Sequence, residues 1–204
     1  MTATVLPIGP RSIAEAAALV KRGGLVVYPT DTVYGLGCDP FDAAAVERLF
    51  SAKGRGSKAV PVLCGSAEKA ASLVRLNPRA LELAKTYWPG PLTIVAPLRT
   101  SVPVLLHSGT GNLGVRVPGL AVCVELIEAC GGWLTGTSAN VSGSPSSRSA
   151  ADAVAQLGEK VDLILDGGML EGKESTVVQV EGDAVTILRT GPIGVGNQVK
   201  GGRT

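Results

Sequence analysis

Histidine is almost missing from this chain: His107 is the only one in 204 residues, so chemistry that depends on paired imidazoles or on histidine-rich metal sites has nothing to work with. Aromatic residues make up only 3% of the sequence, which leaves little surface for stacking nucleobases. The net charge of +2, with a pI near 8.4, is too small to imply nucleic-acid binding by bulk charge, although it leaves room for a local basic groove. The four cysteines, Cys38, Cys64, Cys123 and Cys130, show no Cys-x-x-Cys spacing and no neighbouring histidine, so neither a zinc site nor any other metal site is expected. The first residues do not read as a signal peptide, so buried free thiols in a reducing cytosol are expected rather than a disulfide framework. No apolar run reaches the roughly 18 residues that would cross a bilayer. A soluble, cytoplasmic protein without membrane contact is the expectation.

Two familiar phosphate-binding signatures are absent as well. Neither Lys53 nor Lys58 has the glycine spacing and following hydroxyl of a P-loop. The run Gly109-Thr110-Gly111-Asn112-Leu113-Gly114 has dinucleotide-fingerprint spacing, yet it leads into the strand-like Val115-Arg116-Val117 rather than opening a helix. His107 itself has no acid or nucleophile beside it in sequence and reads as an ordinary loop histidine.

What is present is a regular interleaving of apolar strands and amphipathic helices, with 45% hydrophobic residues, enough for one buried core. Ser12 and Glu15 have the spacing of a capping box for a helix over 13–22 that Gly23 stops; strands are expected at 25–28, 60–64, 92–96, 113–117, 133–135 and 161–165. Helices are expected over 43–52, 67–74, from Asn77-Pro78 to Pro89, over 121–130, and from Ser149 to about Leu157. The stretches 176–180 and 184–188 flank Glu181-Gly182-Asp183 as a hairpin. These elements predict an α/β single domain over 1–190, with a twisted mixed β-sheet, flanking helices and a flexible tail over 191–204.

Three polar clusters interrupt this pattern. Pro29-Thr30-Asp31-Thr32-Val33-Tyr34-Gly35-Leu36-Gly37 follows the apolar run 25–28, so a buried strand feeds a loop dense in hydroxyls, with glycines that permit unusual backbone shapes. Lys53-Gly54-Arg55 sets two cations two residues apart at an exposed helix end, a pattern that suits a polyphosphate and equally a solvated basic turn. Thr137-Ser138-Ala139-Asn140-Val141-Ser142-Gly143 offers small hydrogen-bonding side chains after a short strand. Arg116 and Arg189, each on an apolar strand, are costly if buried without a partner, so each reaches water or meets an anion. Ser175 alone is a strand-entry serine.

Taken together and in this order, over roughly residues 10 to 190, the three clusters resemble those of the YrdC-like proteins, the threonylcarbamoyl-adenylate synthases. The resemblance implies synthesis of L-threonylcarbamoyl-adenylate from L-threonine, bicarbonate and ATP with release of pyrophosphate, feeding a tRNA-modification machinery that alters the adenosine beside the anticodon. By motif position it implies that Thr32, Arg116, Ser138 and Ser175 contact threonine, that Arg55, Asn140 and Arg189 contact ATP in a concave basic cleft, and that Lys53 and Arg55 act as the catalytic cations. Mg2+ is expected to arrive with ATP, held mainly by phosphate oxygens and water.

The chain departs from the family pattern in places. Gly56 stands where proline usually follows the Lys-x-Arg run, and the stretch before Pro61 is one residue longer. Ala59 falls where an asparagine is usual, Gly65 near a histidine that contacts threonine, Asn112 in place of a hydroxyl residue, and Arg148 where a small hydroxyl residue is common. The alternatives weighed are an RNA-binding module of the same fold that uses Lys53, Arg55, Arg116, Arg148 and Arg189 as a basic groove, and carbamoyl transfer to another acceptor.

Overall fold

A computed structural model describes residues 2–54, 56 and 58–195. The chain opens with strand β1 (Thr4–Pro7) and helix α1 (Pro10–Val20), continues through β2 (Val26–Tyr28) and β3 (Gly35–Gly37), and then forms α2 (Ala43–Lys53) and β4 (Val62–Cys64). Helices α3 (Ala67–Leu73) and α4 (Pro78–Tyr87) precede β5 (Leu92–Pro97), the single turn α5 (Val104–His107) and β6 (Asn112–Arg116). The remainder is α6 (Ala121–Ala129), β7 (Trp133–Thr135), β8 (Thr137–Ser138), α7 (Ala150–Leu157), β9 (Leu163–Asp166) and the hairpin β10 (Thr176–Glu181) with β11 (Ala184–Arg189).

Side chains set most helix starts. Asp42 accepts from the N–H groups of Ala44 and Ala45 at 3.0 and 3.1 Å, Asn77 from Ala80 at 2.8 Å and Ser149 from Asp152 at 3.1 Å. Helix α1 differs from expectation. Its N-cap is Gly9, and Ser12 sits three residues inside, accepting from the Gly9 N–H at 3.0 Å, because Pro10 already fits the first helical position. His107 is not in a loop. It ends α5, is buried, and its Nδ1 accepts from the Gly111 N–H at 3.2 Å.

The α/β class with mixed strand directions is present, and the strands divide into two sheets. The first has the order β1-β9-β2-β3-β8, with β1, β9 and β2 parallel and the last two pairings antiparallel. The second has the order β11-β10-β5-β6-β4-β7, in which β5 and β10, and β4 and β6, run parallel. In the first sheet, Val26, Tyr28, Leu163 and Leu165 pack with α1 and α6, while Val27 and Ile164 face the cluster built on α2 and α7. Burial on both faces explains the uninterrupted apolar runs.

The second sheet is covered differently. Leu92, Ile94, Val178 and Val180 pack with Ala80, Leu83 and Ala84 of α4, and Leu113 and Val115 of β6 enter the largest core cluster. Their alternate neighbours point the other way, where no described helix covers them, and form the floor of a cleft. Beyond β11, Gly191 and Ile193 donate their N–H groups to Thr176 Oγ1 and Val195 is buried, so 191–195 pack against the domain; 196–204 of the expected tail lie outside the described residues.

Candidate functional site

The cleft has a volume of about 770 Å³ and takes its floor from the second sheet and one wall from the hydroxyl loop of the first. Thr93 of β5, Gly114 and Arg116 of β6, and Val177 of β10 lie on the floor; Thr30 and Thr32 come from the loop, and Ser138 from β8. Strand β8 reaches this place by pairing with β3, Ser138 opposite Gly35. The glycines of the first motif serve close approach rather than unusual dihedrals: a Cβ on Gly35 would meet the Tyr28 ring at 3.0 Å, and one on Gly37 would meet Leu134 and Thr135 at 2.8 Å.

Arg116 organises one end. Buried at 4% exposure, it donates from Nε to Gly90 O at 3.0 Å and from Nη1 to Thr32 Oγ1 at 3.2 Å, and its Nη2 pairs with Asp31 Oδ1. Thr30 gives its only hydroxyl proton to Val33 O at 2.7 Å, so the proton in the 2.9 Å contact between Thr30 and Thr32 comes from Thr32. With its proton spent and one lone pair taken by Arg116, Thr32 Oγ1 keeps one lone pair. It can serve a ligand only as an acceptor, which suits an ammonium or hydroxyl donor.

Arg189 organises the other end. It donates from Nε to Ser175 O and from Nη2 to Ser175 Oγ, both at 3.0 Å, and its Nη1 pairs with Glu174. Ser175 Oγ in turn shares a proton with Thr93 Oγ1 at 2.9 Å, and Glu174 accepts from Ser146 Oγ at 2.6 Å. Burial lowers the Arg189 pKa from its ordinary value; the Glu174 carboxylate opposes that shift and the charge of Arg116 adds to it. An anion bound beside Arg189 would act in the same direction as Glu174.

Of the expected site residues, Thr32, Arg116, Ser138, Ser175 and Arg189 line one cleft. Arg55 lies outside the described residues. Lys53 corrects the expectation of an exposed helix end: it is 1% exposed, and its Nζ donates to Ser138 O, to Asn140 O at 2.7 Å and to Asn140 Oδ1 at 3.3 Å. Val46, Leu49, Phe50 and Lys53 fall at helical spacing on the buried face of α2, the signal that would have found it. Asn140 is also committed beneath the cleft, donating through Nδ2 to Val141 O at 3.0 Å and Ser144 O at 2.6 Å.

Sequence reasoning missed Thr93 and Glu174 on the cleft, as well as Lys58 at its edge. Thr93 was legible as a polar residue between Leu92 and Ile94; Glu174 carries no such pattern. Among the departures, Ala59 and Asn112 line the cleft. Gly65 does not: it faces α6, where a Cβ would come within 1.7 Å of Glu128 Oε1, and Arg148 turns its Nε to Leu170 O at 2.8 Å. Burial pushes the Cys38 and Cys64 thiols up to about 12, and among the described residues no group of three or more His, Cys, Asp or Glu side chains could hold a metal. No described helix is long and apolar enough to cross a membrane.

A family model for Sua5/YciO/YrdC, described as Telomere recombination, matches residues 18–191. The chain belongs to the Sua5/YciO/YrdC family. It is 39% identical over 160 residues to the threonylcarbamoyl-AMP synthase of Halorhodospira halophila, covering 78% of this chain and 84% of the relative. It is 38% identical over 182 residues to the threonylcarbamoyl-AMP synthase of Pyrococcus abyssi, covering 88% of this chain and 54% of the relative, so it spans about half of that protein. Among solved structures, P. abyssi Sua5 complexed with L-threonine superposes with a TM-score of 0.86 at 37% identity, over 93% of this chain and 57% of that one. E. coli YciO superposes with a TM-score of 0.83 at 29% identity over 94% and 95% of the two chains. This Sua5/YciO/YrdC chain thus shares its fold across nearly its whole length with a relative solved with an amino acid bound.

Proposed function

We propose that the chain is a threonylcarbamoyl-AMP synthase, joining L-threonine, bicarbonate and ATP into L-threonylcarbamoyl-adenylate with release of pyrophosphate and water. The observation that carries this reading is the cleft itself, which sets a buried, hydroxyl-flanked Arg116 at one end and Arg189 at the other in a member of the Sua5/YciO/YrdC family. Arg116 is the partner for the threonine carboxylate, and Thr32 Oγ1 accepts from the substrate ammonium or hydroxyl, with Ser138 and Ser175 closing the polar pocket. Arg189, and by its place in the motif Arg55, face the nucleotide phosphates.

The chemistry asks little of side-chain nucleophiles. The threonine nitrogen forms a bond to the bicarbonate carbon with loss of water, the resulting carbamate oxygen attacks the α-phosphorus, and pyrophosphate leaves. Positioning and charge neutralisation dominate such a transfer, which is consistent with a cleft that contains no histidine. Glu174 is the only carboxylate on the cleft among the described residues, and it is already engaged by Arg189 and Ser146, so Mg2+ fits best as a companion of ATP held by phosphate oxygens and water. A cytoplasmic setting and onward transfer of the adenylate to tRNA-modifying enzymes complete the reading. Pyrophosphate release should require threonine and bicarbonate together; release that ignores the omission of either rejects the assignment.

A further inference from the structure

Asp31 is absent from the cleft lining, yet it touches the cleft's most buried cation. Its Oδ1 pairs with Arg116 Nη2, while Oδ2 is buried and accepts no hydrogen bond among the described residues. A Cβ on Gly119 would stand 3.3 Å from that same Oδ2, so the carboxylate is wedged against backbone on its far side. Holding a carboxylate with one oxygen dry is unfavourable unless the ion pair offsets it, and replacing such a pair with apolar groups is often no less stable. Stability alone is therefore a poor account of the pair.

Geometry supplies a better one. A guanidinium has five N–H donors, and Gly90 O, Thr32 Oγ1 and Asp31 Oδ1 take one each from Nε, Nη1 and Nη2. Gly90 and Asp31 lie off the cleft and Thr32 lies on it, so the group is pinned at three corners with one donor left on each terminal nitrogen. We infer that Asp31 is a positioning residue for amino-acid recognition: acting through Arg116, it fixes the plane in which those two remaining donors meet the substrate carboxylate. The inference rests on the proposed synthase activity. It adds a residue that touches no substrate.

The test reads the Michaelis constants for threonine and ATP separately in Asp31→Asn, Arg116→Gln and the double variant, with thermal melting for each. Losing a charge-assisted hydrogen bond that aligns Arg116 should raise the threonine KM ~10-fold or more in Asp31→Asn, with the ATP KM within about 2-fold. In the Arg116→Gln background, the same change should add less than about 2-fold, because its route of action is gone. A threonine KM within about 2-fold of wild type in Asp31→Asn overturns the inference, as does an equal loss in both backgrounds. If Asp31→Asn melts below the assay temperature, the double variant, which removes both buried charges, is compared with Arg116→Gln alone, and an added loss above about 2-fold overturns it. A wild-type protein that turns over ATP equally with and without threonine overturns the synthase reading and this inference with it, whereas threonine-dependent wild-type turnover with an unaffected Asp31→Asn overturns this inference alone.

Discussion

Replacing Lys53 by methionine keeps the length of the side chain and removes its charge, which separates an anchor from a phosphate contact. In the structure the ammonium is buried at the end of α2 and holds Ser138 O, Asn140 O and Asn140 Oδ1, and the Lys53 carbonyl accepts from the Ser142 N–H at 2.9 Å. Methionine leaves three oxygens of the 138–140 turn without these donors in a site water barely reaches. No charge is left behind, but buried acceptors that lose their donor cost about 1–3 kcal/mol each, so two or three of them sum to about 2–6 kcal/mol; for a chain of this size each kcal/mol lowers the melting midpoint by about 2–4 °C, and a fall of roughly 4–20 °C is expected. The assay is thermal unfolding followed by circular dichroism, with turnover measured well below the lower midpoint. A Lys53→Met protein that melts within about 2 °C of wild type while losing turnover would refute the anchoring argument and return Lys53 to the phosphates.

In direct competition at equal concentration, threonine should exceed serine by about 10- to 200-fold, the worth of one methyl contact, and serine should exceed valine, whose missing hydroxyl leaves polar partners unmatched. Since Gly65 faces α6 instead of the cleft, it gives no reason for looser selectivity, and valine outperforming serine would contradict a hydroxyl-reading pocket. Stability should also fall in alkali: burial raises the thiols of Cys38, Cys64 and Cys130 from 9.0 to about 12, so the stabilisation present below pH 9 is lost as pH rises toward 12. Tyr28, raised by burial, acts in the same direction. A denaturation midpoint that holds or rises between pH 8 and pH 10.5 contradicts this.

Much of the architecture was legible because periodicity and caps are local. The helices begun by Asn77 and Ser149 start where their side chains dictate, and the hairpin of β10 and β11 follows from alternation around a glycine turn. The strands that escaped, Thr4–Pro7, Gly35–Gly37 and Thr137–Ser138, are short, and Gly-Leu-Gly has no strand propensity of its own; neighbouring strands impose its conformation. The gathering of Thr32, Arg116, Ser138, Ser175 and Arg189 around one cleft was reachable only through the resemblance, since nothing local in the sequence states that residues so far apart meet. The burial of Lys53 was legible for the opposite reason: the stripe of Val46, Leu49 and Phe50 at helical spacing runs on to Lys53, so local periodicity alone places it inside.

The floor of the cleft is written into every second residue of strands whose other residues build the core. Inserting a single residue in β6 would exchange the two sets at once, bringing Leu113 and Val115 to the cleft and driving Arg116 toward the interior. Changes of length are therefore better borne between strands, as in the stretch ahead of Pro61, which precedes β4 at Val62. The same logic gives an engineer a map of where this chain accepts a graft: the turn at Glu181-Gly182-Asp183 can be lengthened without disturbing the ligand-facing rows, whereas a one-residue frame shift within β5, β6 or β10 would cost fold and site together.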